Sequence, residues 1–342
     1  MPNSTRLTIF AHTKSRAVTP SFKKILTSFI KIAVVAFAFW FVYRKVTKHD
    51  DLRDFVNLIH DIPGTEIFLV LSIAFVLMLL NWGLEAVKWK SLIENVEKIS
   101  LWKSIESVFC GLTWAVFTPN RIGEFGGRVF FLSPKRRIVG VVAMAVGNIG
   151  QLVLTNVFGA ITTCIFVYRF VEISLPFFIA LCIIAVASIA FFIIFYFNIK
   201  WLNNLLLSIK FTRKYHKFYA VLARYSQREL ASILLYCLAR YAVFTTQYLI
   251  MFLWLIPSLH VMDILMFVPI LLFVQSMLPS LDLLDWGVRS LTALFFFKHI
   301  TTQNTAVVAC IASIWLLNII IPAILGSYFV FKLNFFGNNQ RN

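Results

Sequence analysis

The sequence has little of what a soluble enzyme or a nucleic-acid-binding protein needs. Only 14% of its 342 residues are charged, and 15 acidic residues stand against 32 Lys and Arg. The longest polar stretch between apolar segments, 198–230, is too short for a folded catalytic domain. No Walker motif is present, so ATP is not expected as a direct driver.

Cysteine and histidine are scarce and scattered. The five cysteines lie singly in apolar segments without a Cys-x-x-Cys pair, so neither a disulfide framework nor a zinc site is predicted. The six histidines lack any metal-ligand spacing, and there is no Asp-x-Asp pair. We therefore expect no metal and no other cofactor, and no catalytic residue is assigned. Without a basic patch interleaved with aromatic residues, nucleic acid is not expected as a partner either.

Apolar residues are abundant instead. They make up 60% of the chain, Phe occurs 36 times, and the mean hydropathy is +0.82. Such a composition predicts an all-α polytopic membrane protein. The net charge of +17 indicates cytoplasmic loops that face anionic lipid headgroups. We expect a basic cytoplasmic N-terminus (1–24), one membrane domain (25–332) and a polar tail (333–342).

Six apolar runs are long enough to cross a bilayer, and two others are not. The six are Ile25–Tyr43, Ile67 to about Leu84, Ile138–Tyr168, 174–197, Ala231–Ile256 and Ala306–Phe331. The second run leads into Lys88, and we expect Trp89 and Trp102 as interface aromatics. The short runs are Ile105–Phe117 and Ile264–Leu278; the first reaches about 20 Å against a hydrocarbon core of about 30 Å.

The distribution of basic residues indicates how the short runs are arranged. If every run crossed from a cytoplasmic N-terminus, the strongly basic stretch 198–230 would lie outside, against the positive-inside rule. A hairpin over about 105–132 that enters and leaves on one side returns this stretch to the cytoplasm. A second hairpin over about 264–297 enters from the other side, and both termini are then cytoplasmic. The alternative is that the hairpins cross, which gives eight spans.

The stretch Thr118–Arg128 carries the main site candidates. On a helix, Arg121, Glu124 and Arg128 lie at i, i+3 and i+7 and form one stripe. A charge near the middle of a bilayer costs roughly 2.5–3.5 kcal/mol and tends to mark function. The arginines suit a phosphate, and Glu124 suits either an arginine or an amine headgroup. Two other interpretations are that the charges only pin the hairpin, or that they snorkel at the interface.

The second hairpin has a similar pattern, because Asp282, Asp285 and Arg289 repeat the same spacing after Pro279. This similarity favours an inverted repeat of the kind found in transporters. Arg240, inside a span, either pairs with Asp282 or Asp285 or contacts substrate. We expect the neutral side chains of Asn148 and Gln151 to line the same polar path as these charges. Structural roles in the two hairpins are expected for Pro119, Gly123, Gly126, Gly127 and Gly287.

The stretch Thr118–Arg128, together with Glu85–Leu92 before it, resembles the signature of the lysylphosphatidylglycerol synthase transmembrane-region family, also called the flippase-like family. The second motif of that family is matched only at Gly287-Val288-Arg289, and Ser290 stands where the family has Glu. The resemblance implies a multi-pass unit of the cell membrane that moves a lipid between leaflets. It also implies that the aminoacyltransferase domain found in some members is not part of this sequence.

The partners implied are membrane lipids, in particular anionic headgroups at the cytoplasmic face, and a separately encoded lipid-modifying enzyme. Two alternatives to a flippase remain at this point. One is a membrane-embedded transferase that acts on a lipid carrier, with Asp282 and Asp285 as its carboxylates. The other is a membrane scaffold for an enzyme encoded elsewhere.

Overall fold

The computed structural model describes residues 62–278 and 285–330. It is helical, and these two ranges contain no strand. Five helical segments in them are long and apolar enough to cross a membrane: Gly64–Ile93, Pro134–Phe170, Leu175–Phe197, Gln227–Leu255 and Asn304–Val330. The prediction of an all-α polytopic membrane protein is thereby confirmed. The basic N-terminus, the first predicted span and the polar tail lie outside the described residues.

The main helices follow one another with short connections. They are α1 (Gly64–Ile93), α2 (Leu101–Ala115), α3 (Ile122–Val129), α4 (Arg137–Phe170), α5 (Leu175–Phe197), α6 (Lys200–Ser208), α7 (Gln227–Leu255), α8 (Val261–Met277), α9 (Asp285–Phe297), α10 (Asn304–Trp315) and α11 (Ile321–Val330). A π-helical turn, Leu316–Ile320, joins the last two into one span. Short helical turns over 210–224 connect α6 to α7.

Helix α1 continues to Ile93, well past the expected end near Leu84. Lys88 and Trp89 are therefore inside the protein, with 2% and 0% of their surface exposed. The expected interface position of Trp89 is wrong, whereas Trp102 is 60% exposed. A lysine normally ends an apolar span, but here its charge has a buried partner, and the helix does not need to end.

Helix α4 is unbroken over 34 residues. Its glycines serve close packing. A Cβ atom on Gly159 would lie 2.3 Å from the Cβ of Phe273 on α8, and one on Gly147 would lie 2.6 Å from Leu92 on α1. Neighbouring helices thus approach α4 more closely than larger side chains would allow.

Each half of the described chain contains a long helix, two short helices and a second long segment. The first long helices of the two halves, α1 and α7, pack against each other and run antiparallel. Asn95 donates to Glu229 at one end of the pair, and Gln247 donates to the carbonyl of Ala74 at the other end, each at 2.8 Å. Antiparallel packing of corresponding helices is what an inverted repeat requires.

The remaining long contacts are reciprocal between the halves. The first short helix of one half, α2, packs on the last helix of the other, α11, where the Thr113 hydroxyl donates to the carbonyl of Ala323 at 2.8 Å. The counterpart α8 packs on α4, where Arg169 pairs with Asp263 at 2.5 Å. This exchange supports the inverted repeat that the spacing of charges in the sequence favoured.

Helix α5 lies on the outside of the helix bundle, whereas the orientation of the molecule in the bilayer stays a prediction. Helix α5 packs on α4 and α7, and none of its most apolar window is buried. It includes large exposed residues such as Phe177, Ile183 and Phe191. A span that is apolar all round and exposed is suited to contact with lipid tails.

Candidate functional site

The turn between α2 and α3 is held by the Thr118 hydroxyl. It donates to the carbonyls of Trp114 and Ala115 at the end of α2, each at 3.2 Å. It also accepts from the backbone N–H of Gly123 at 2.7 Å, at the start of α3. One side chain therefore satisfies backbone groups from both helix ends. The Thr-Pro-x-Arg-Ile-Gly sequence builds a tight hairpin.

Two glycines of this hairpin are required by close approach. A Cβ on Gly123 would lie 2.3 Å from the carbonyl oxygen of Trp114, and one on Gly127 would lie 2.6 Å from the Cα of Gly111. Gly126 meets only a ring carbon at 3.9 Å, and Gly287 meets nothing within 4 Å. Of the four glycines expected to have a structural role, only Gly123 and Gly127 are confined by their surroundings.

Asn120 and Arg121 both adopt the left-handed conformation, with φ values of 50° and 57°. Helix α3 begins only at Ile122, so the expectation that Arg121 lies on one helical stripe with Glu124 and Arg128 is wrong. The turn nevertheless brings Arg121 Nε to 2.9 Å from Glu124 Oε2. Two consecutive non-glycine residues with positive φ are uncommon, and such backbone tends to occur at functional sites.

Glu85 on α1 is the centre of a buried ion network. Its carboxylate lies 2.6 Å from Lys88 Nζ and 2.6 Å from Arg128 Nη1, and it also accepts from Arg240 Nη1. Arg240 reaches it from α7 and donates through Nε to Asn81 Oδ1 at 2.9 Å. A single carboxylate therefore compensates three cations that come from three helices, which ties α1, α3 and α7 together.

Glu124 extends the network from Arg128 to Arg121. It accepts from Arg128 Nη2 as well as from Arg121, so both of its neighbours are guanidinium groups. Even without Arg121, the network has three basic side chains (Lys88, Arg128, Arg240) against two acidic ones. Arg121 and Arg240 both lie against the Trp82 ring, at 5.9 and 5.2 Å from its centroid.

A cavity of about 430 Å³ opens beside this network. Its charged and polar lining comes from both halves of the chain. The polar lining residues are Asn81, Glu85, Lys88, Asn120, Arg121, Glu124, Asn148, Gln151, Thr155, Arg240, Tyr241, Gln275, Ser276, Arg289 and Asn318. Apolar side chains, among them Leu152, Phe244 and Leu272, form the rest of the wall. The cavity is the meeting point of the two repeats.

Part of the cavity wall is neutral. Asn318, in the π-helical turn, donates to Gln247 Oε1 at 2.7 Å, and Gln247 in turn holds the carbonyl of Ala74. A π-turn within an α-helix shifts the side chains that follow it and is frequent at functional sites. Here it presents Asn318 to the cavity in the middle of an otherwise apolar span.

The cavity brings together most of the site residues predicted from the sequence. Arg121, Glu124, Asn148, Gln151, Arg240 and Arg289 line it, and Arg128 lies behind Glu124 with 1% of its surface exposed. Pro119 directly precedes the left-handed turn, and its carbonyl accepts from Ile122 N at 3.2 Å. Pro279 and Asp282, as well as the side chain of Asp285, lie outside the described residues. Arg240 pairs with Glu85, a partner that the sequence did not suggest; its suggested pairing with Asp282 or Asp285 falls on side chains outside the described residues.

The sequence missed Glu85, Lys88, Tyr241 and Asn318 as site residues. The signal for the first two was the i, i+3 spacing of opposite charges directly after an apolar run. It was interpreted as the membrane interface because lysine is typical there. Asn318 was visible as an uncharged polar residue within the last span. For Tyr241 no sequence signal distinguishes a site residue from a packed aromatic.

The geometry defines the class of protein: a multi-pass helical membrane protein with a charged cavity between two repeats. Among the described residues, no group of three His, Cys, Asp or Glu side chains is placed to hold a metal ion. Comparison with protein-family models found no matching family, and comparison with curated proteins found no matching relative.

Proposed function

We propose that the protein is a flippase-like transporter that moves a phospholipid or lipid-linked headgroup between the leaflets of the cell membrane. The observation that carries this proposal is the cavity of about 430 Å³, which is lined by arginines inside a bundle of membrane-spanning helices. A lipid headgroup needs a polar path through the bilayer while its tails remain in hydrocarbon. The cavity wall has polar side chains that suit a headgroup and apolar side chains beside them.

The charges favour an anionic headgroup. Basic residues outnumber acidic ones in the network. The guanidinium of Arg240 uses Nε and Nη1 for protein partners, and no acceptor among the described residues binds its Nη2. A phosphate oxygen is a suitable ligand for that group, because guanidinium donors bind phosphate in a fixed geometry. Arg121 lies on the same wall, with 33% of its side chain exposed.

The inverted repeat favours transport over a purely structural role for the charges. In transporters built from inverted repeats, the substrate site lies where broken helices of the two halves meet. The cavity has this position, between the α2–α3 and α8–α9 pairs. The short segments and the resemblance of Thr118–Arg128 to the flippase-like signature agree with it. In this proposal both termini and the basic stretch 198–230 are cytoplasmic.

The test is lipid movement in proteoliposomes that contain the purified protein. Fluorescently labelled anionic, zwitterionic and amine-bearing lipids are compared, and the labelled lipid in the outer leaflet is measured by chemical reduction of the label. We expect wild-type protein to move an anionic lipid and expect Arg121→Ala and Glu124→Gln to lose most of this movement. Both variants should remain folded, as judged by thermal unfolding in detergent.

The matched control is Arg169→Ala. Arg169 is also paired with a carboxylate, that of Asp263, but it lies outside the cavity. This variant should move lipid at the wild-type rate. If no lipid moves with intact wild-type protein, or if Arg121→Ala and Arg169→Ala behave alike, the proposal is wrong.

A further inference from the structure

Five buried polar atoms in the described residues of the cavity wall have no protein partner: Trp82 Nε1, Gln151 Oε1, Gln275 Nε2, the hydroxyl of Tyr241 and Oδ1 of Asn318. Tyr241 and Asn318 are only 6% and 4% exposed. The Tyr241 ring is fixed by stacking on Phe158, with centroids 4.8 Å apart, so its hydroxyl has a defined position. A buried polar group without a partner costs free energy, and a ligand that supplies the partner recovers it.

The unpartnered oxygen atoms of Tyr241 and Asn318 suit a hydroxyl group of a ligand. An amide oxygen accepts one hydrogen bond from it, and a phenol hydroxyl either donates or accepts. Gln151 adds a further acceptor, Oε1, which also lacks a partner. The lining therefore offers guanidinium groups for an anion and neutral oxygen atoms for hydroxyl groups.

The carboxylates of the cavity are already occupied by protein cations. Glu85 has three cationic partners and Glu124 has two, and no other carboxylate appears in the described lining. An ammonium group in the cavity would therefore have to displace a guanidinium from its carboxylate, and it would meet an excess of positive charge. A cationic or aminoacylated headgroup does not fit this arrangement.

We infer that the cavity selects a phosphate ester whose remaining headgroup is uncharged and carries hydroxyl groups, such as a glycerol or sugar phosphate on a lipid. This inference rests on the proposed function in taking the cavity as the substrate site. The phosphate lies on the side of Arg240 and Arg121, and the hydroxyl groups bind Tyr241 and Asn318. The cavity thus selects its ligand by charge at the phosphate and by hydrogen bonding at the hydroxyl groups.

The experiment measures binding of three short-chain lipids to the full-length protein in detergent by calorimetry. Dihexanoyl phosphatidylglycerol carries the anion and hydroxyl groups, phosphatidylethanol carries the anion alone, and phosphatidylethanolamine adds an amine. We expect phosphatidylglycerol to bind about 3- to 10-fold more tightly than phosphatidylethanol, because one or two additional hydrogen bonds increase affinity by about this factor. Phosphatidylethanolamine should bind roughly 10-fold more weakly than phosphatidylethanol. Free glycerol 3-phosphate distinguishes a soluble ligand, which would bind equally well, from a lipid.

Tyr241→Phe is the decisive variant, because it removes only an oxygen that makes no bond within the protein. It should leave the unfolding temperature unchanged or raise it, and leave the affinity for phosphatidylethanol unchanged, while the affinity for phosphatidylglycerol falls about 3- to 10-fold. Tyr236→Phe, on the same helix and outside the cavity lining, is the matched control and should change neither affinity. Asn318→Leu should repeat the effect of Tyr241→Phe on phosphatidylglycerol.

Equal affinity for the three lipids, no binding of phosphatidylglycerol, or an unchanged affinity in Tyr241→Phe would overturn the inference. These outcomes are distinct from failure of the proposed function. Selective binding without movement in proteoliposomes would refute the flippase and retain the site. Movement of anionic and amine-bearing lipids at equal rates would retain the flippase and refute the selectivity.

Discussion

The two hairpins occupy equivalent positions in the repeat but differ in chemistry. In the first, α2 and α3 cross at Gly111 and Gly127, and the turn places two arginines and a glutamate in a buried network. In the second, α8 and α9 are more apolar, and Gly287 has open space around it. The described part of the second hairpin contributes a glutamine, a serine and Arg289 to the cavity.

This difference separates architecture from specificity. The reciprocal packing of α2 on α11 and of α8 on α4 needs only apolar surfaces and small residues, and both halves supply these. Most of the charges come from the first half, Arg240 and Arg289 come from the second, and the ion network is anchored on α1 and α7, the antiparallel pair at the centre. An asymmetric site within a symmetric fold can bind a headgroup with two chemically different ends.

The largest loss of stability is expected at Glu85, the carboxylate at the centre of the ion network. Glu85→Gln leaves Lys88, Arg128 and Arg240 without their common carboxylate, and breaking a buried ion pair costs about 3–5 kcal/mol. Thermal unfolding in detergent measures the loss. Glu97→Gln is the control. Glu97 lies near the surface, 4.0 Å from Lys103, and its bonds from Ser133 can be accepted by the amide oxygen of Gln as well, so the change should cost less than about 1 kcal/mol. Equal stability of Glu85→Gln and the wild type would show that the network does not hold the helices together.

A smaller change in stability is expected when a glycine of either hairpin is replaced by alanine, and it should differ between the two hairpins. Gly127→Ala forces a methyl group against the Gly111 backbone, and we expect a loss of about 1–3 kcal/mol. Gly287→Ala meets nothing within 4 Å and lies in a helix, so it should be neutral or stabilise by up to about 1 kcal/mol. Both are measured by chemical denaturation in the same detergent. Opposite signs are predicted, and a similar loss in both variants would contradict the packing described for α3.

The smallest effect concerns the turns. Thr118→Val removes the hydroxyl that joins the ends of α2 and α3, and we expect a loss of about 1–2 kcal/mol. Ser276→Ala, near the end of α8, removes only a bond to the carbonyl of Phe273 and should stay within about 0.5 kcal/mol. Hydrogen exchange of the Gly123 amide checks the mechanism, because this amide should exchange faster in Thr118→Val alone.

The sequence predicted the five apolar spans of the described residues and the unusual hairpin well, because both depend on local composition. Charge next to glycine and proline within an apolar context marked Thr118–Arg128 without knowledge of any contact. The pairing partners could not be predicted, since Glu85 and Arg128 are 43 residues apart and meet only through packing. The partner of Arg240 could not be predicted for the same reason, since Glu85 lies on α1, 155 residues away in the sequence.

Two other features depend on backbone geometry that residue types do not specify. Arg121 fits a helical stripe by spacing, yet the turn that Thr118 imposes places it in the left-handed region before α3. The π-turn at Leu316–Ile320 rotates Asn318 toward the cavity within a span whose composition is that of an ordinary apolar helix.

The central claim is that the cavity between the repeats is the path of the lipid, and blocking it chemically tests this most directly. Ser276 and Ser208 are both exposed, and each donates at 2.7 Å to the carbonyl three residues earlier, but only Ser276 lines the cavity. Ser276→Cys and Ser208→Cys are each treated with a bulky charged thiol reagent in proteoliposomes, and treated wild-type protein controls for the native cysteines. We predict that modification stops lipid movement in Ser276→Cys and leaves it unchanged in Ser208→Cys and in the wild type. Undiminished movement in fully modified Ser276→Cys would contradict the account.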